Sequence, residues 1–195
     1  MNVAHNELIG NFVKVVPMET THIQELYEIG KDKAIWTHSP FVVTLETSDD
    51  MKSIVEEALY QKELGTEFPF VVILRENDKV IGSTRFMEIS DNNKSLEIGS
   101  TWLTPSVWGT QVNAECKYLL LKYCFETLKT IRVQLKTDEK NSRSQKAIER
   151  IGGVKEGILR NHIIRKDGTY RTSILYSIID SEWDDVKNKL QFLLE

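Results

Sequence analysis

The sequence predicts a mixed α/β fold, a mostly antiparallel sheet with helices on both faces. Three observations carry that expectation. Residues 68–103 read as three strands joined by the short turns Asn77-Asp78 and Asp91-Asn92-Asn93, an antiparallel meander. From Asn113 the apolar period switches from two to helical spacing, and it returns to a strand at Ile131. Such a β-α-β step calls for a right-handed crossover and at least one parallel strand pair. Finally, Asp167-Gly168 separates two more strand-like runs, a strong hairpin signal.

Taken in order, Phe12 to Val16 alternates apolar and polar residues and stops at Pro17, as a strand. Thr21-His22-Ile23-Gln24 has capping-box form, and Ile23, Leu26, Tyr27 and Ile29 follow at helical spacing. Asp32 to Thr44 reads as a loop holding Trp36, His38, Pro40 and Phe41. Ser48 opens a second helix, with Asp49 and Asp50 where the helix dipole favours acids. Met51, Ile54, Val55, Ala58 and Leu59 are its apolar stripe and Gly65 its stop. The meander strands are Phe68 to Leu74, Lys79 to Ile89 and Leu96 to Leu103. In the helix after Asn113, Cys116, Leu119, Leu120, Tyr123, Cys124 and Leu128 share one broad face. Ile131 to Lys136 is the next strand. Ser142-Arg143-Ser144-Gln145 is a second capping box, ahead of the stripe Ala147, Ile148, Ile151 and the terminator Gly152-Gly153. Val154 to Arg165 and Tyr170 to Ile178 form the hairpin, and Ser181-Glu182-Trp183-Asp184 opens a last helix.

Composition fits one domain spanning residues 1–195. The chain has 41% apolar and 28% charged residues, so disordered and fibrous classes are excluded. Lys plus Arg is 25 against 29 Asp plus Glu, a net charge of −4, which argues against a nucleic-acid partner. Cys116 and Cys124 lie eight residues apart in one helix, ~12 Å, too far for a disulfide. They read as small half-buried hydrophobes. Met1 to Glu7 has no signal-peptide pattern and no apolar run approaches a membrane span, so a cytoplasmic protein without membrane partners is expected. His5, His22, His38 and His162 show no metal-ligand spacing, and no metal is expected.

The stretch from Leu103 to Asn113 carries the chemistry. It joins a strand to a helix N-terminus, where unpaired backbone N–H groups and the helix dipole make an anion site. One glycine in such a loop equally fits a plain turn. Beyond this local signal, the chain resembles the GNAT superfamily of acyl-CoA N-acyltransferases, and within it the RimJ/RimL-like branch. Trp108-Gly109-Thr110-Gln111-Val112-Asn113-Ala114-Glu115-Cys116-Lys117 followed by Tyr118-Leu119-Leu120-Leu121 resembles the family's coenzyme A loop and helix. Asp138-Glu139-Lys140-Asn141-Ser142-Arg143-Ser144-Gln145-Lys146-Ala147 resembles its next motif, Ile151 to Gly157 continues it, and Asp167-Gly168 through Tyr176-Ser177 resembles its terminal hairpin. The pattern departs in four ways, the first being Trp108 where the family's loop opens on Gln or Arg. Gln111 stands where the family has its first glycine, Asn113 stands at the small position, and Ile148 stands where many members place a Tyr that protonates the departing thiolate.

The resemblance implies acetyl transfer from acetyl-CoA to a primary amine by direct attack in a ternary complex. The acceptor would be a protein N-terminus, ribosomal proteins included, or a small amine. A reacting amine must be neutral, so a base is needed. Glu97 is the candidate: Leu96 and Ile98 point to the opposite face, and burial would raise its pKa. Solvent exposure or a basic cross-strand partner is the plainer alternative. Coenzyme contacts are implied at Thr101, Trp102, Leu103, Trp108, Gly109, Thr110, Gln111, Val112, Asn113, Asn141 and Arg143. Ser144 would donate to the leaving thiolate, although Asn141 and Ser142 also serve as helix caps. Arg143 and Lys117 either meet coenzyme phosphates or are solvated helix residues. Trp36, His38 and Phe41 are acceptor-site candidates, with loop anchoring as the alternative. Arg160, His162 and Arg165 alternate along one strand face and could meet a partner or acceptor. Two rival functions stand beside this one: transfer of a different acyl group, and a catalytically silent coenzyme-binding module. A homodimer through the last helix or hairpin is possible, but Trp183, Leu190 and Leu193 equally suit packing on the sheet.

Overall fold

The computed structural model describes residues 1, 3, 7–41 and 45–195; His5 and the end of the predicted first loop, 42–44, lie outside them. Among the described residues the strands are β1 (Leu8–Ile9), β2 (Val13–Pro17), β3 (Phe68–Leu74), β4 (Lys79–Ser90), β5 (Ser95–Leu103), β6 (Arg132–Asp138), β7 (Val154–Ile164) and β8 (Tyr170–Ile179). The helices are α1 (Ile23–Gly30), α2 (Ser48–Glu63), α3 (Val112–Lys122), α4 (Ser142–Arg150) and α5 (Trp183–Leu194). All eight strands join one sheet in the order β1-β2-β3-β4-β5-β6-β8-β7. The β5/β6 pair is parallel and the other neighbours are antiparallel, as the β-α-β step requires.

Two apolar layers hold the helices to the sheet. On one face Cys116, Leu120 and Leu121 of α3, Ile148 of α4 and Val186 and Leu190 of α5 pack on Phe70, Phe86, Leu96, Ile98, Val133 and Tyr176. On the other, Leu26 of α1 and Met51, Val55 and Ala58 of α2 pack on Val16, Val71, Ile73 and Val80. This second layer covers only the β2–β4 side. Over β6, β8 and β7 the same face is left to polar side chains, which is why β6 alternates while β3, covered on both sides, is apolar throughout. No helix among the described residues is long and apolar enough to cross a membrane.

The structure corrects several local readings. The short strand β1 has too few residues for any period to show. Both cysteines are fully buried, not half-buried. The third helix keeps α geometry only to Lys122, and Tyr123–Leu128 continues as a π-helix. Its wider turn lets three consecutive residues be buried: Tyr123 stacks on Phe86 of the sheet and Phe125 on Trp183 of α5. The box before α1 is formed by Glu19 and His22, whose Nδ1 accepts the Glu19 N–H. At α4 the cap is Asn141, and Gln145 turns back to the Glu139 carbonyl instead of completing a box with Ser142. Trp183 and Leu190 pack on the core.

Candidate active site

A cleft opens where β5 and β6 part. They pair only at Ser95/Arg132, Leu96/Val133 and Glu97/Gln134, after which each strand continues alone on that side. A bulge in β5 accompanies the separation. Between the pairs Ser83/Trp102 and Arg85/Gly99 the register slips, and Ser100 takes a left-handed φ of 45°. Two further left-handed residues, Glu88 in β4 (φ 49°) and Asn161 in β7 (φ 50°), stand at the register shifts of their own strands. Local strain thus collects around the cleft, where bulges re-aim side chains.

Glu97 lies at the apex of the cleft, 5% exposed. Its Oε2 is 2.8 Å from Lys136 Nζ and accepts from Gln134 Nε2 at 3.4 Å. Lys136 also meets Glu88 Oε1 at 2.7 Å. Burial pushes the Glu97 carboxyl above its ordinary value, against the opposing pull of Lys136. Gly99 leaves room beside it: a Cβ there would stand 2.7 Å from Glu97 Oε1 and 2.8 Å from Met87 Sδ, so one of these side chains would have to shift.

On one arm of the cleft the predicted coenzyme residues are placed as follows. Thr101 shares its hydroxyl with Thr84 at 2.7 Å and accepts from Lys117 Nζ at 2.6 Å. Lys117 is therefore turned inward beneath the bulge, and neither phosphate contact nor solvation describes it. Trp102 packs on Trp36, centroids 5.1 Å apart, and Leu103 is buried, its carbonyl accepting from Trp108 Nε1 at 2.8 Å. The side chains of this strand end are engaged, and beyond Glu97 its main chain has no β6 partner on the side away from β4. Gly109 has φ 77° with open space where a Cβ would stand, so main chain can approach a ligand there. Thr110 Oγ1 donates to Val107 O and accepts the Val112 N–H, the first of α3, while the Gln111 side chain makes no cap there. Val112 is buried and Asn113 follows it in the first turn. Gln111, at the family's glycine position, donates to Leu193 O at 3.1 Å and so ties the loop to α5.

The other arm is the β6–α4 junction. Asn141 Oδ1 accepts the Ser144 N–H at 3.0 Å, which leaves the Asn141 amide NH₂ as a donor. Arg143 lays its guanidinium 3.4 Å over the Trp108 ring, linking the two arms across the cleft mouth. Ile148 is buried in the core.

The polar face of the sheet forms the far side. Asp138 is buried and ion-paired with Arg165. Burial works against its charge, but the Lys140 N–H and Arg165 overcome it and hold the carboxyl below its ordinary value. The bulge at Asn161 interrupts the alternation expected for Arg160, His162 and Arg165. It sends His162 Nδ1 to Ser173 Oγ at 3.0 Å, while Arg165 goes to Asp138. The Lys166 N–H reaches the Pro40 carbonyl at 3.3 Å, which brings the β7–β8 hairpin to the loop of the acceptor candidates. Of these, Trp36 is buried with its indole N–H on Gly30 O, His38 is half-buried and Phe41 is exposed. Lys136, Gln134 and Arg171 escaped sequence reasoning. The alternation of Arg132, Gln134 and Lys136 with Val133 and Leu135 was the available signal for the first two.

The sequence model of the acetyltransferase (GNAT) domain matches residues 13–154. The chain belongs to the GNAT acetyltransferase family. It is 28% identical over 145 residues to the uncharacterized N-acetyltransferase p20 of Bacillus licheniformis, covering 74% of this chain and 78% of that protein. Among solved structures, a GCN5-related N-acetyltransferase from Brucella melitensis superposes with a TM-score of 0.91 at 26% identity, covering 99% of this chain and 87% of that one. The RimJ of Mycobacterium smegmatis, solved with CoA-disulfide, shares the fold with a TM-score of 0.80 at 19% identity, over 92% of this chain and 88% of its own. The reaction of a GNAT domain uses acetyl-CoA.

Proposed function

We propose that this chain moves the acetyl group of acetyl-CoA to a primary amine, on a protein N-terminus or a small molecule, by direct attack in a ternary complex. The observation that carries the reading is the buried carboxylate of Glu97 at the apex of the split strands, facing the polar side of the sheet. Acetyl-CoA, when bound, supplies an activated thioester carbonyl. The main chain of Thr101, Trp102 and Leu103, the loop from Trp108 to Asn113, the Asn141 amide and Arg143 would hold it; a helix N-terminus and a free amide suit its phosphates and amides. Glu97 takes the proton that the attacking amine sheds as its nitrogen bonds to the carbonyl carbon. As the carbon–sulfur bond breaks, the Ser144 hydroxyl donates a hydrogen bond to the departing sulfur. Trp36, His38 and Phe41 border the acceptor side.

The Glu97→Gln variant tests this. It keeps the shape and a hydrogen bond to Lys136 but cannot accept a proton. Loss of a hundredfold or more in kcat is expected, with unchanged affinity for acetyl-CoA. Normal turnover would remove Glu97 from the mechanism.

A further inference from the structure

Arg171, on the polar face, makes no ion pair with a carboxylate among the described residues. It precedes Ser173 by two residues on β8, so it shares the face on which Ser173 meets His162, and it pairs in register with Ile163 of β7. Its Nε is buried with no hydrogen-bond partner, and its guanidinium makes no hydrogen bond or ion pair with any described residue. The nearby carboxylates are all engaged. Asp138 takes Arg165 and the Lys140 N–H, Glu97 takes Lys136, and Glu88 takes Lys136 and Gln134. Burial pulls the guanidinium below its ordinary pKa, while Asp138 and Glu97 attract its charge and Arg165 repels it. A guanidinium keeps its charge, and leaving its buried Nε–H unpaired is costly. A bidentate carboxylate fits that fork.

We infer that the acceptor amine carries a carboxylate and that Arg171 grips it, with His162 alongside, directing the amine toward Glu97. This inference rests on the transferase reading above. The carboxylate belongs either to a free amino-acid-like molecule or to an acidic side chain next to a peptide N-terminus; the chemistry is the same. The overall charge of −4 leans toward cationic acceptors, but this local group selects the opposite feature.

Matched substrates test it: amino acids against their carboxamides, and short peptides with Glu or Gln in the second position, each with saturating acetyl-CoA. In the wild type, kcat/KM should favour the carboxylate partner by roughly tenfold or more, mainly through KM. Whichever pair shows the preference identifies the source. Arg171→Gln should abolish the preference and Arg171→Lys retain part of it, with the KM for acetyl-CoA unchanged. Equal turnover of acid and amide by the wild type overturns the inference while sparing the transferase reading, and needs no variant to fold. If no amine is turned over, the same compounds are tested for thermal stabilisation of the CoA-saturated protein. Stabilisation by the carboxylates alone, lost in Arg171→Gln, upholds the subsite although the transferase reading fails. Equal effects of acid and amide overturn the subsite as well.

Discussion

The ammonium of Lys117 sits beneath the β5 bulge, 6% exposed, with Thr101 Oγ1 accepting its hydrogen bond. Burial pulls its pKa from 10.5 down to about 8. The unfolded chain therefore binds that proton more readily between these values, and stability should rise with pH across this window. Below it the cost of burying the charge is fully present, on the order of 3 kcal/mol. Lys117→Met removes that cost along with one hydrogen bond. Relative to the wild type, the variant should thus fare better at about pH 7 than at about pH 10. Urea unfolding at both pH values checks this, and a stability difference that ignores pH would contradict it. A lysine in an amphipathic helix carries no sign of being turned inward, so the sequence points to the phosphates or to solvent for Lys117. The face that Glu97 takes was legible because period two in β5 separates it from Leu96 and Ile98, all of which precede the bulge, and Lys136 is the basic cross-strand partner that the sequence left as the alternative.

Between elements, Glu115 of α3 holds the start of β2. Its carboxylate accepts the N–H groups of Asn11 at 2.6 Å, Phe12 at 2.7 Å and Val13 at 2.8 Å. Glu115→Ala would leave these donors unpaired at a partly buried junction. A loss of about 3 kcal/mol is expected, or roughly 6–12 °C in Tm for a chain of this length. Glu115→Gln, which keeps one acceptor oxygen, should fall between. Calorimetry on both variants measures it, and an unchanged Tm in Glu115→Ala would show that the junction holds by packing alone. The helices and strands themselves were largely readable, since each is long enough for its period to show. The π-helical turn was not, because its cause lies in Phe86 and Trp183, far away in sequence.

At the scale of the molecule, the cleft joins two arms that the Arg143–Trp108 stack and the Gln111–Leu193 bond hold in place. Acetyl-CoA bound between them should stabilise the fold by linkage, about 2.7 kcal/mol at a hundredfold excess over Kd. A thermal shift with acetyl-CoA and with free CoA reads this directly. No shift with either would contradict coenzyme binding by this chain. A shift without thiol release from any amine would favour a silent binding module over a transferase.

The sequence by itself determined the fold class, the order of nearly every element, the parallel crossover and the loop leading into α3. These follow from periodicity, turn residues and the shortness of connections, which act locally along the chain. Tertiary structure alone decided where β5 and β6 part, that Glu97 is paired with Lys136, and that Arg171 is left unpaired. Each of those depends on strand register, and one bulge redirects every side chain beyond it. Register is settled by packing across the whole sheet, so no window of sequence contains it.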